Sequence, residues 1–141
     1  MRTIENKFNA LTKYIENIQE LESFGEWIFD KKSSGTSEDP MQAPFLSYDE
    51  LIYNFIEDFY KFSDSHPEYE LTNYQSILRE NNIEWNLKSM SEMDTLLLDS
   101  KCILALIMGV IRGERFSEGS LLWCLKEGPM LSWLKRLSVL D

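Results

Sequence analysis

A mostly helical α+β domain is the fold class this sequence predicts, and three observations predict it. Residues 93–116 hold the longest apolar stretch of the chain, with no charge from Cys102 to Ile111. A helix of that character is apolar on nearly every side and has to be enclosed by other elements. On both sides of it, apolar residues recur at steps of three and four, the spacing of amphipathic helices. Around Trp27 and again around Phe45, β-prone residues flank a segment rich in Ser and Gly, the pattern of a small antiparallel hairpin. The expected architecture is about six helices around one central helix, with the hairpin at one side.

Taken in order, residues 4–21 place Ile4, Phe8, Leu11, Ile15, Ile18 and Leu21 on one face and predict a first amphipathic helix. After Gly25, the run around Trp27, Ile28 and Phe29 reads as a strand. Lys31–Pro40 is a flexible hairpin connection. Met41–Ser47 reads as the second strand, kept to a sheet edge by Pro44, which has no amide hydrogen to donate. Ser47 and Glu50 form a capping box, so a helix should start there and bury Leu51, Ile52, Phe55, Ile56, Phe59 and Phe62. The segment around His66 and Pro67 ends it. Thr72 and Gln75 form a second capping box before a shorter helix with Tyr74, Ile77 and Leu78 inward and Asn81 and Asn82 as its stop. Trp85 falls in a connecting loop.

The central helix is expected to open at Ser91 as N-cap, with Glu92 and Asp94 offsetting the positive end, and to close at Gly113 through a left-handed turn. Ser117 can cap the next helix, whose Leu121, Leu122 and Leu125 pack inward until Gly128 stops it. Pro129 starts a last helix burying Met130, Trp133, Leu134 and Leu137. No internal repeat is visible.

At 141 residues and 43% hydrophobic content, the chain fits one globular domain spanning residues 1–141. Eight Phe, six Tyr and four Trp argue against disorder and for an aromatic core. Cys102 and Cys124 lie in apolar helical patterns without metal spacing and read as reduced core thiols. The N-terminus has no signal-peptide pattern and no uncharged run is long enough to span a bilayer, so a cytoplasmic protein is expected.

The net charge of −10 argues against direct nucleic-acid binding, which needs a basic surface. Residues 1–70 carry fifteen acids against six Lys or Arg, whereas residues 71–141 are nearly balanced. Between 47 and 70 stand Asp49, Glu50, Glu57, Asp58, Asp64, Glu68 and Glu70 against Lys61 alone. Such a surface can steer toward a basic partner, and can imitate a nucleic-acid backbone as an inhibitor of a nucleic-acid-processing protein, the DNA mimic of an anti-defence system. The plainer reading of Asp49, Glu50, Glu57 and Asp58 is a solvated face that keeps the protein soluble.

Arg112 and Arg115 stand at the exit of the central helix, just before the amides of the helix that Ser117 can cap. Guanidinium forks and a positive helix end converging there would hold a phosphate or carboxylate, so Arg112, Arg115 and Ser117 form a candidate anion or nucleotide site. The plainer reading pairs both arginines with Glu114, Glu118 or an acid of the first half. No catalytic set emerges: the sole histidine, His66, lies in a loop far in sequence from either cysteine. No Walker loop, dinucleotide fingerprint or histidine-rich metal spacing is present, and no cofactor is expected. Trp123 and Trp133 read as core or its edge, with the burial of Trp27 and Trp85 less determined.

The motif order carries a resemblance. FGEW at 24–27, the extended Met41–Ser47 segment before a helix starting Tyr48, Asp49, Glu50, the Tyr69–Thr72 segment and the stretch Ile111–Leu137 resemble domain of unknown function 6508, a family of small bacterial proteins. Its closing pattern maps onto Arg112, Arg115, Phe116, Gly119, Leu121, Gly128, Arg136 and Leu137. The resemblance implies a compact α+β fold and brings no established activity. The function expected is therefore a non-enzymatic interaction or regulatory protein of a bacterial cell or its phage, binding another protein and no membrane. The acidic inhibitor and the anion-binding enzyme at Arg112 and Arg115 are the alternatives. An interaction module would show an exposed acidic or aromatic patch, whereas an enzyme would place an arginine in a concave site with carboxylates.

Overall fold

The computed structural model describes residues 7–29 and 45–140. Phe8, Leu11, Tyr14 and Ile18 turn inward at the start, but as two short helices, α1 (Asn9–Thr12) and α2 (Ile15–Glu20), not one continuous helix. The break at Lys13 and Tyr14 shifts the helical phase. Tyr14 is buried in place of Ile15, and its hydroxyl donates to Asp58 at 2.5 Å. Ile4, with the expected start of this helix, lies outside the described residues.

Strands β1 (Gly25–Ile28) and β2 (Phe45–Tyr48) pair antiparallel, Gly25 opposite Tyr48 and Ile28 opposite Phe45. The expected connection Lys31–Pro40 and the Pro44 edge position lie outside the described residues. Ser47 does not cap the next helix, because β2 pairing uses it opposite Glu26. Asp49 takes that role, its carboxylate accepting from the Leu51 amide at 2.9 Å to start α3 (Glu50–Ser65). Ile52, Phe55, Phe59 and Phe62 are the buried stripe of α3, with Leu51 and Ile56 at its margins.

Two 3₁₀ turns, Pro67–Tyr69 and Leu71–Asn73, lead into α4 (Tyr74–Glu80). Thr72 falls inside the second turn, so the expected capping box does not form. Tyr74, Ile77 and Leu78 do point inward, and Asn82 in the left-handed region stops the helix. A further short helix, α5 (Leu87–Ser91), uses Ser91 as part of its own last turn.

The central helix is α6 (Ser100–Gly113), capped by Asp99, whose carboxylate accepts from the Cys102 amide at 2.9 Å. It starts later than the apolar run suggests. Asp94 caps a separate 3₁₀ turn, Thr95–Leu97, and Leu96 and Leu97 are 71% and 80% exposed, so that piece of the run has no core face. From Cys102 to Ile111 every residue is buried, as an apolar helix without a polar face requires. Gly109 lets the α4–α5 connection approach it. A Cβ there would meet Met90 Cε at 3.0 Å and Trp85 Cδ1 at 3.4 Å, and the Trp85 indole donates to the Gly109 carbonyl at 2.8 Å.

Helices α7 (Ser120–Glu127) and α8 (Pro129–Val139) meet at Gly128, left-handed with φ +102°, followed by Pro129 in the first turn of α8. Together with α4 they surround α6, and α1 and α2 cover the far side of α8. Trp133 is 2% exposed in the core, whereas Trp123 lies on the outer face of α7. The fold is thus the mostly helical α+β arrangement with one small antiparallel sheet. Among the described residues, no helix is long and apolar enough to cross a membrane.

Candidate functional site

The exit of α6 brings together the hairpin, α3 and the start of α7. Backbone bonds from Phe116 and Ser117 to the Gly113 carbonyl carry the chain on in right-handed turns, so Gly113 ends α6 without the expected left-handed conformation. The left-handed residue is Gly119, at φ +101°, which starts α7 and packs against the Trp27 ring.

Ser117 does not cap α7; its carbonyl instead accepts from the Ser120 amide and hydroxyl. The cap comes from Glu114. One carboxylate oxygen accepts from the Leu121 amide at 2.9 Å and both approach the Gly119 amide, at 3.1 and 3.2 Å. Tyr48 completes it from the hairpin, donating its hydroxyl proton to Glu114 at 2.7 Å while its oxygen accepts from the Leu122 amide at 3.1 Å. Burial, followed by the bond to the Glu114 carboxylate and its charge, pushes the Tyr48 hydroxyl pKa far above the ordinary tyrosine value. Glu118 ties down the same strand two residues earlier, accepting from the Leu46 amide at 3.0 Å. The amides that sequence reasoning aimed at an external anion are donated to the protein's own Glu114 and Tyr48.

The candidate anion residues separate. Arg112 lies over the Tyr60 ring, its guanidinium carbon 5.5 Å from the centroid. Arg115 lines a cavity of about 290 Å³ with Tyr48, Tyr53, Tyr60, Glu114 and Glu118. Ser117 lines a different cavity, of about 330 Å³, against Trp85, Met90, Gly109 and Phe116. The carboxylates expected to pair with the arginines bind backbone amides instead, and no described carboxylate is within ion-pair distance of Arg112 or Arg115.

The acidic-face residues are largely engaged. Asp49 is the α3 cap, Glu57 pairs with Lys61 at 3.3 Å, and Asp58 accepts from Tyr14 and pairs with Lys13 at 3.3 Å. Glu50 is exposed at the first turn of α3. Partial burial and then the bond to Asp58 push the Tyr14 hydroxyl up to about 12, while that same bond is the main force holding the Asp58 carboxyl below its ordinary value.

Chemistry elsewhere is sparse. Burial pushes the Cys102 thiol up to about 11 and the Cys124 thiol up to about 12, which disfavours the nucleophilic thiolate, and both cysteines are free. His66 packs on Phe62 with ring centroids 4.3 Å apart and, among the described residues, meets Glu68 as its charged partner. No group of three metal-ligating side chains occurs among the described residues. Sequence reasoning missed Glu114 and Tyr48. The legible signal was a glutamate five residues before a glycine that opens a helix, but nothing local pointed to a tyrosine on a distant strand.

No curated protein and no solved structure matches this chain. The model of a family of unknown function, DUF6508, matches residues 4–141, and the chain therefore belongs to the DUF6508 family.

Proposed function

We propose that the protein is a non-enzymatic interaction or regulatory module of the cytoplasm that docks another protein through aromatic side chains of the hairpin and the α6–α7 connection. The observation that carries this reading is their exposure: Trp27, Phe29 and Phe45 on or beside the hairpin, Phe116 on the connection and Trp123 one turn into α7 all reach solvent. The Trp27 contact with Gly119 joins the two segments, so these rings belong to one region of the fold. Large exposed aromatics around an anchored scaffold are the composition of interface hot spots.

The acidic-inhibitor version draws less support. Asp49, Glu57 and Asp58 each have an intramolecular partner, which leaves Glu50 as the unpaired member of that set among the described residues. Photo-crosslinking from Phe29 or Trp123 in host extract, at low and high salt, separates the versions. The interaction reading expects a protein captured at both salt concentrations, lost from Phe29→Ser, Phe45→Ser and Trp123→Ser variants and retained when Glu57 and Asp58 are changed to Lys. Capture that disappears with salt and follows the acidic substitutions replaces it with the basic-partner reading, and absence of any specific adduct removes it.

A further inference from the structure

The cavity beside Arg115 has a composition that the docking surface does not explain. Leu46, Ile56, Ile111 and Leu121 give it apolar walls, and Tyr53 and Tyr60 line it as well. Beside Glu114 and Glu118, three of its polar side chains, Tyr53, Tyr60 and Arg115, are donors. Tyr53 accepts the Tyr48 amide on its oxygen at 3.2 Å, and among the described residues its own proton is given to no acceptor. Neither does the Tyr60 hydroxyl, nor the guanidinium of Arg115 or Arg112, find a carboxylate or carbonyl acceptor there, in contrast to Arg136, which donates to the Leu96 carbonyl.

Both oxygens of Glu114 are turned to the Gly119 and Leu121 amides and the Tyr48 hydroxyl, and one oxygen of Glu118 accepts from the Leu46 amide. Among the described residues, neither carboxylate takes a hydrogen bond from Arg115, Tyr53 or Tyr60. A planar guanidinium fork matches the two oxygens of a carboxylate or phosphate, and phenolic hydroxyls can complete its coordination. Apolar and aromatic walls behind such a head favour a flat apolar body over a free inorganic ion.

We propose that this cavity binds a small aromatic oxyanion, its phosphate or carboxylate held by Arg115 with the Tyr53 and Tyr60 hydroxyls and its ring set against Ile56 and Leu121. This site is independent of the interaction reading. A ligand bound here would brace α3 against the hairpin and the start of α7, because the cavity walls come from all three.

Phenyl phosphate, inorganic phosphate, phenol and tetramethylammonium are the probes, used on the full chain. Thermal unfolding should rise with phenyl phosphate more than with any of the other three. By calorimetric titration, Arg115→Ala should weaken phenyl phosphate by about tenfold or more, as loss of charged hydrogen bonds does. Tyr60→Phe should weaken it less, Arg115→Lys should fall between, and Arg79→Ala should change nothing. Arg115 is exposed without a described partner, so its variants should unfold at the parent temperature when no ligand is present. The proposal is overturned if phenyl phosphate gives no protection, if Arg115→Ala and Tyr60→Phe bind it as the parent does, if phosphate or phenol alone does as well, or if tetramethylammonium gives the larger shift.

Discussion

Two tyrosine–carboxylate pairs join distant parts of this chain, and they do different work. Tyr48 donates to Glu114 across the hairpin and the α6 exit, and Tyr14 donates to Asp58 between the first helices and α3. Behind Glu114 stand the Gly119 and Leu121 amides, and behind Tyr48 the Leu122 amide, so this pair satisfies the opening turn of α7. Behind Asp58, among the described residues, stands no backbone amide but the Lys13 ammonium, whose side chain is 52% exposed, with Lys61 acting on its charge. The same two functional groups are a helix start in one place and a surface strut in the other. The worth of a polar pair depends on the backbone groups left stranded when it is removed.

The largest expected effect follows from breaking the first pair. Glu114→Ala strips acceptors from two amides and one hydroxyl at once and should cost about 3 kcal/mol in chemical denaturation. Asp58→Ala, with water able to reach its former partners, should cost about 1 kcal/mol. Equal losses in the two variants would break the comparison. Hydrogen exchange sharpens it further, since only Glu114→Ala should speed exchange at Leu121 and Leu122.

The tyrosines should rank the same way. Tyr48→Phe leaves the Leu122 amide without an acceptor and should cost about 2 kcal/mol, against about 1 kcal/mol or less for Tyr14→Phe. A double-mutant cycle on each pair should then give the larger coupling for Tyr48 with Glu114. If the Tyr14 cycle gave the larger value, the backbone donors behind Glu114 would not be what matters.

A third contrast is between helix starts. The α6 cap is local, Asp99 reaching the Cys102 amide, so its loss in Asp99→Ala should cost about 1 kcal/mol and leave the hairpin's exchange protection unchanged. The same measurement on Glu114→Ala should loosen both α7 and the hairpin, because Tyr48 belongs to the strand.

The same division between local and distant partners governs what the sequence could disclose. The apolar run predicted a buried central helix because ten successive residues without a charge have no solvent face to offer. The hairpin, the α3 stripe, the inward residues of α4 and the Gly128–Pro129 junction were legible for the same reason, since spacing or a single residue's backbone preference determines each. The other helix starts were not. Ser47, Thr72, Ser91 and Ser117 each fit a cap by type, yet Ser47 is used in β pairing, Thr72 in a 3₁₀ turn and Ser91 in the last turn of α5, and the Glu114 carboxylate caps α7 in place of Ser117. Arg112 and Arg115 precede a helix start, but whether they share a site depends on which way each side chain leaves the turn. Tyr60, from another helix, decides that for Arg112.

The smallest effect is the most specific, because it concerns the shape of a pH profile. Asp58 has its carboxyl pKa lowered, chiefly by the Tyr14 hydrogen bond, so its contribution is present above the unfolded value of 3.8 and disappears as pH falls through the lower folded value. Tyr14 is shifted the other way, from 10.0 up to about 12, chiefly by burial and then by the bond to Asp58. Its contribution is complete below pH 10.0 and is lost as pH rises toward about 12, where the unfolded chain has already released the proton that the folded chain retains. Tyr48 and the two buried thiols also weaken the fold on the alkaline side, so the informative quantity is the stability of the parent minus that of Tyr14→Phe at each pH. That difference should be a plateau through the neutral range, shrinking below pH 3.8 and again above pH 10.0. A difference independent of pH would mean that the Tyr14 hydroxyl stabilises by packing alone, and the two pairs would then differ in kind and not only in what stands behind them.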